Sequence, residues 1–134
     1  MVKDSLNPDM IDSGRALIEK LTSRNLELSA ALWFFFADSN IWRLILASQI
    51  VKTNGPRAMY EKVQSVIRSE SNELPSLELS DIKVVSPDDD IIMQFKSAIQ
   101  IGGISGLRFT NNTINGRVIE DAYIYKLTYP QLRC

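Results

Sequence analysis

No histidine occurs among the 134 residues. That absence removes the side chain most used as a general base near neutral pH, the usual imidazole metal ligand, and every Ser-His or Cys-His nucleophile arrangement. Cysteine is scarce too. The one thiol is Cys134, the last residue, so no disulfide can form within the chain, and zinc centres built from thiolate and imidazole are excluded. Lack of disulfides fits a reducing compartment, and Met-Val-Lys-Asp-Ser-Leu at the start carries charge where a secretory signal carries an apolar run; the expectation is a cytoplasmic protein. Cys134 does not form a prenylation box, whose cysteine lies fourth from the end.

An excess of one charge is missing as well. The 15 basic and 16 acidic side chains leave a formal charge of -1, and no basic block indicates a sequence-independent grip on nucleic acid. A membrane span needs about twenty predominantly apolar residues. The most apolar stretch, Ala30 to Ser48, is interrupted by Asp38-Ser39-Asn40 and by Arg43, so none is expected. A chain of this length suits a single globular domain over residues 1–134, which buries roughly two-thirds of its unfolded surface without help from metal or disulfide.

What is present is organised around that apolar stretch. Ala30 to Ala37 and Ile41 to Ser48 are rich in aromatic and β-branched residues and flank three turn formers, which predicts a β-hairpin. With Asp38-Ser39-Asn40 as the loop, Ala37 lies opposite Ile41, and the register pairs Phe36 with Trp42, Phe34 with Leu44 and Leu32 with Leu46. Both hairpin faces are then apolar, Arg43 excepted. Such a pair needs cover on both sides, from helices or from a second subunit.

Asn7-Pro8-Asp9 opens a first helix with a cap, a proline at the first position and an acid near the positive end. Met10, Ile11, Gly14, Leu17, Ile18 and Leu21 form its apolar stripe, and Arg24-Asn25 its stop. Gly14 within the stripe implies close approach to the sheet, against an aromatic ring. Gln49 to Asn54 reads as a connection, and Gly55-Pro56 starts a second helix with Met59, Val63, Val66 and Ile67 inward. Ile82 to Val85 is a short strand. Ser86-Pro87 followed by Asp88-Asp89-Asp90 starts a third helix, with Ile91, Phe95, Ala98 and Ile99 on its stripe. Leu107 to Phe109, a polar Thr-Asn-Asn-Thr segment, an Asn115-Gly116 turn and a strand from about Ala122 to Thr128 complete the chain.

The order α-β-β-α-β-α-β-β implies an α+β fold, a mixed sheet of about five strands with two or three packed helices. The second and third helices are expected to share one face and the first to cover the other.

Three constellations carry possible chemistry. Asp88-Asp89-Asp90 could offer oxygens to a hard cation, but Ser86 as cap and Pro87 after it explain the acids as helix-dipole partners; no metal and no cofactor are expected. A metal-dependent nuclease core fails because Ile124 stands where an acid is needed, two residues before Lys126. In Ile101-Gly102-Gly103-Ile104-Ser105-Gly106, Gly103 and Ser105 could cradle an anion, yet the glycines follow a helix and precede a strand, the reverse of nucleotide loops. The third constellation joins Glu120, Asp121, Tyr123 and Tyr125 with Arg108 and Arg117, where a ligand site competes with a surface ion pair beside two tyrosines at the core margin.

Ala31-Leu32-Trp33, Gly55-Pro56-Arg57, Gly103-Ile104-Ser105-Gly106 and Glu120-Asp121-Ala122-Tyr123-Ile124-Tyr125 resemble segments of small bacterial α/β proteins of uncharacterised function, and the resemblance implies a bacterial source and no particular activity. The sequence favours a non-catalytic module that forms a homodimer or docks on another protein. The alternative is a small-ligand-binding protein or carboxylate-dependent enzyme built around Glu120, Asp121 and the 102–106 glycine loop.

Overall fold

The structure, a computed structural model, describes residues 6, 8–36, 38–69, 77–98, 107–114 and 117–127, with 94, 96–98, 107–114, 117–120, 126 and 127 described by their backbone. Ten elements follow one another: α1 (Pro8–Ser23), β1 (Ala30–Phe36), β2 (Ile41–Ala47), α2 (Gln49–Asn54), α3 (Pro56–Ser69), a 3-10 turn (Leu79–Asp81), β3 (Ile82–Val85), α4 (Asp90–Ala98), β4 (Leu107–Ile114) and β5 (Arg117–Leu127). The fold is α+β with a mixed sheet. Its strands lie in the order β3-β2-β1-β5-β4, with β2 and β3 parallel and the other neighbours antiparallel. Among the described residues no helix is long and apolar enough to cross a membrane.

The β1–β2 hairpin forms, with a register one residue away from the expected one. Phe36 pairs with Ile41, Phe35 with Trp42, Trp33 with Leu44 and Ala31 with Leu46. Four residues, not three, separate the strands. Ser39 N donates to Phe36 O at 3.2 Å, and Asn40 takes a left-handed φ of 57°, a conformation that asparagine tolerates well. Ala37, the expected partner of Ile41, lies outside the described residues.

Because side chains alternate along a strand, the slip changes which residues share a face. Ala31, Trp33 and Phe35 join Trp42, Leu44 and Leu46 in one core, while Ala30, Leu32, Phe34 and Phe36 join Ile45 and Ala47 in the other. Arg43, the one cation of the hairpin strands, sends Nη1 to the carbonyl of Ser80 at 3.1 Å, in the 3-10 turn that leads into β3.

The first core is covered by α1 (Met10, Leu17, Ile18, Leu21) together with α3 (Met59, Val63, Val66). The second is covered by Ile91, Ile92 and Phe95 of α4. The expected sharing is thus overturned: the helices after β2 lie with α1, and the helix after β3 lies opposite. The reason is topological. From β2 to β3 the chain makes a crossover between neighbouring parallel strands, but from β3 it goes to β4 at the far edge. That second step crosses the other face and joins strands that are not parallel neighbours.

Among the described residues four α-helices replace the expected two or three, because Gln49 to Asn54 is helical. Ser48 caps α2: its fully buried Oγ accepts from Ile50 N at 3.3 Å and donates to Glu27 O at 2.9 Å. Gly55, at φ 91°, breaks α2 from α3 in a backbone region that favours glycine. α1 ends as the sequence implies, with Asn25 at φ 64°; its expected cap Asn7 lies outside the described residues. The polar Thr110 to Thr113 segment is part of β4, and β5 begins at Arg117, well before Ala122.

The acids stand at the start of α4 as expected, Asp90 in its first turn, but the cap is not the expected one. Asp89, not Ser86, is the cap: its carboxylate accepts from Ile91 N at 3.2 Å, and its carbonyl accepts from Met93 N at 2.9 Å. Asp88 accepts from the Ser86 hydroxyl and pairs with Lys52 at 3.3 Å. Those two contacts, the Ser86 bond foremost, hold its carboxyl below the usual range.

Candidate functional site

The tyrosines of the third constellation are placed by an irregularity in β5. Ala31 pairs with Lys126 and Leu32 with Ile124, so Tyr125 is an extra residue on β5, a β-bulge that re-aims its side chain. Tyr125 is wholly buried under α1. Its hydroxyl accepts from Trp33 Nε1 at 3.0 Å and donates to the Ile11 carbonyl at 2.6 Å. Gly14 makes this possible: a Cβ built there would lie 2.5 Å from the Tyr125 oxygen and 2.9 Å from Trp33 Nε1.

Arg15 continues the cluster outward. Its guanidinium carbon sits 5.4 Å from the centre of the Tyr125 ring, and Nη2 donates to the Tyr123 hydroxyl at 3.4 Å. The two tyrosine rings meet edge to face with centroids 5.2 Å apart. Burial pushes the Tyr125 hydroxyl well above its ordinary pKa, and the Trp33 bond offsets this only in part. A phenol held neutral, with its proton committed to a backbone carbonyl, is poorly suited to exchange protons with a substrate. Tyr125 ties α1 to the sheet.

Tyr123 is half-buried at the rim. Arg108 stands opposite it in the β4–β5 register, and Thr110 stands opposite Asp121. The backbone therefore brings Arg108, Asp121 and Tyr123 to one region beside Arg15. Glu120 precedes Asp121 on β5, and Arg117 opens that strand opposite Ile114. Gly103 and Ser105, with the rest of the 102–106 loop, lie outside the described residues. Arg15 and Trp33 carried no signal as site residues, since both meet the tyrosines through tertiary contacts; only Gly14 hinted at a close approach there.

A separate cleft of about 700 Å³ lies where the end of α1 meets α2 and α3. Arg24, Asn54, Glu61 and Lys62 contribute polar groups above Leu21 and Val66. Arg24 is anchored across it, Nη2 donating to Ser69 Oγ at 2.9 Å. Its lining comes from three separate segments without a local motif, so sequence reading had nothing to detect. Among the described residues no group of three or more acidic or thiol side chains is placed to hold a metal ion.

Comparison with protein-family models, with curated proteins and with solved structures finds no match.

Proposed function

We propose that this protein is a non-catalytic interaction module of the bacterial cytoplasm that associates with a second copy of itself. One observation carries the reading. The large exposed hydrophobic residues among those described are Ile41, 41 % exposed, and Met93, 49 % exposed, and both lie on the α4 side of the sheet. Ile41 pairs with Phe36, which packs into the α4 core, and Met93 is on α4 itself. The strand residues beneath α4 are themselves buried, so the exposed apolar area on this side is that of Ile41 at the start of β2 and of Met93 on α4. Apolar side chains exposed on one side of the sheet are what a second copy would cover. The buried, fully engaged hydroxyl of Tyr125 also argues against the most polar core cluster serving as a reaction centre. Sedimentation equilibrium of the whole chain at micromolar concentration tests the reading: a two-copy mass supports it and a one-copy mass opposes it.

A second reading, a small-ligand site, draws on the meeting of Arg15 with Tyr123 and on the register that sets Arg108 beside Tyr123. Two guanidinium-bearing residues there suit an anion. Titration with inorganic phosphate, followed at the Tyr123 amide by NMR, tests it; an unmoved resonance opposes it.

A further inference from the structure

The two edges of the sheet are treated differently. β3, at one edge, has four residues, one of them Lys83. Two of its outward backbone groups are occupied by one side chain: the Tyr60 hydroxyl donates to Ile82 O at 3.3 Å and accepts from Val84 N at 3.3 Å. A short strand, a lysine and a plug of this kind are devices that keep a sheet edge from pairing with another chain. β4, at the other edge, has eight residues, Leu-Arg-Phe-Thr-Asn-Asn-Thr-Ile. It contains no lysine, proline or acid, and twice as many backbone groups lie along it.

The register fixes which of those groups face outward. Only two residues separate the paired Ile114 and Arg117, and the pair closing a two-residue connection exchanges backbone hydrogen bonds. Counting back by twos, Asn112, Thr110 and Arg108 bond to β5. The N–H and C=O groups of Leu107, Phe109, Asn111 and Thr113 point away from it.

We infer that β4 pairs antiparallel with β4 of a second copy about a two-fold axis at Asn111, joining the two sheets into one. The inference rests on the self-association proposed above and names its surface. In this register Asn111 faces its own copy, Phe109 faces Thr113 and Arg108 faces Ile114, so the strand's one charge never meets itself. The axis runs perpendicular to the joined sheet, so both α4 helices fall on the same side. α4 contacts β4 and β5, which sets the two α4 helices on the same side of the joined sheet, flanking the seam. A second copy therefore pairs the open edge and brings the two α4 helices to one side of the joined sheet with the same contact.

The test is sedimentation equilibrium of the full chain in reducing buffer, with wild type beside Asn111→Pro. Proline at 111 removes an outward N–H and leaves the β5 ladder intact. The expected result is a two-copy mass for wild type and a one-copy mass for the variant, with an unchanged circular dichroism spectrum. A two-copy mass for a folded Asn111→Pro overturns the β4 pairing and leaves self-association standing, whereas a one-copy wild type overturns both. A second measurement decides if the proline variant does not fold. Asn111→Cys in a Cys134→Ser background is oxidised, since directly opposed, hydrogen-bonded residues about 5.5 Å apart are within disulfide reach. A copy-to-copy cross-link supports the pairing; a chain that stays uncrosslinked overturns it.

Discussion

Trp33 Nε1 donates a 3.0 Å hydrogen bond to the hydroxyl of Tyr125, 92 positions along the chain. The same hydroxyl donates to Ile11 O, so one oxygen joins β1, β5 and α1. Burying an indole N–H or a phenol costs free energy unless each finds a partner, and here each serves the other.

Tyr125→Phe removes that oxygen and leaves the Trp33 N–H and the Ile11 carbonyl buried without it. The expected loss is about 1–3 kcal/mol, read from urea unfolding. The pH dependence follows from the raised Tyr125 pKa. Since the folded state favours the neutral phenol, its contribution is complete below the unfolded value of about 10 and is lost as pH rises beyond it. Wild type should therefore lose stability more steeply than Tyr125→Phe above pH 10. Parallel curves would contradict this.

Gly14→Ala pits two effects against each other. Helix propensity favours alanine by about 1 kcal/mol, but the new methyl would sit 2.5 Å from the Tyr125 oxygen, and that ring is held by two hydrogen bonds. Overpacking of a fixed neighbour costs typically about 1–3 kcal/mol, so net destabilisation is expected in thermal or urea melts. A more stable variant would mean that α1 does not lie this close to the sheet.

Tyr60→Phe unplugs the β3 edge by removing the hydroxyl between Ile82 O and Val84 N. The Val84 amide should exchange with deuterium faster in the variant, while amides of β1 in the sheet centre keep their protection. An unchanged Val84 rate would show that the hydroxyl does not guard that edge.

Much of this arrangement was legible in the sequence, and the failures have specific causes. Gly14 in an apolar stripe announced a close contact, and Asn25 announced the end of α1; both signals are local. The hairpin was legible in kind, but its register depended on whether Ala37 belonged to strand or loop, and propensity barely distinguishes the two. Ser48 was hidden as a cap because Gly55-Pro56 is the stronger start signal seven residues on. Thr110 to Thr113 looks like a loop by composition and becomes strand by pairing with β5. The tyrosine cluster was half visible: Tyr123 and Tyr125 stood out, while Arg15 and Trp33 reach them only once the chain has folded.

Asp89→Ala tests the reassigned cap before α4. Losing the bond to Ile91 N should cost about 1 kcal/mol, with the same loss whether or not magnesium or calcium is present. A melting temperature that rises with either ion in wild type, and not in the variant, would make these acids a cation site.

Self-association is decided by the mass of the protein in solution. Sedimentation equilibrium across the micromolar range should return about twice the chain mass of 15.1 kDa, falling toward one copy on dilution. A strictly one-copy mass throughout would contradict a self-associating module, and with it the joining of two sheets through β4.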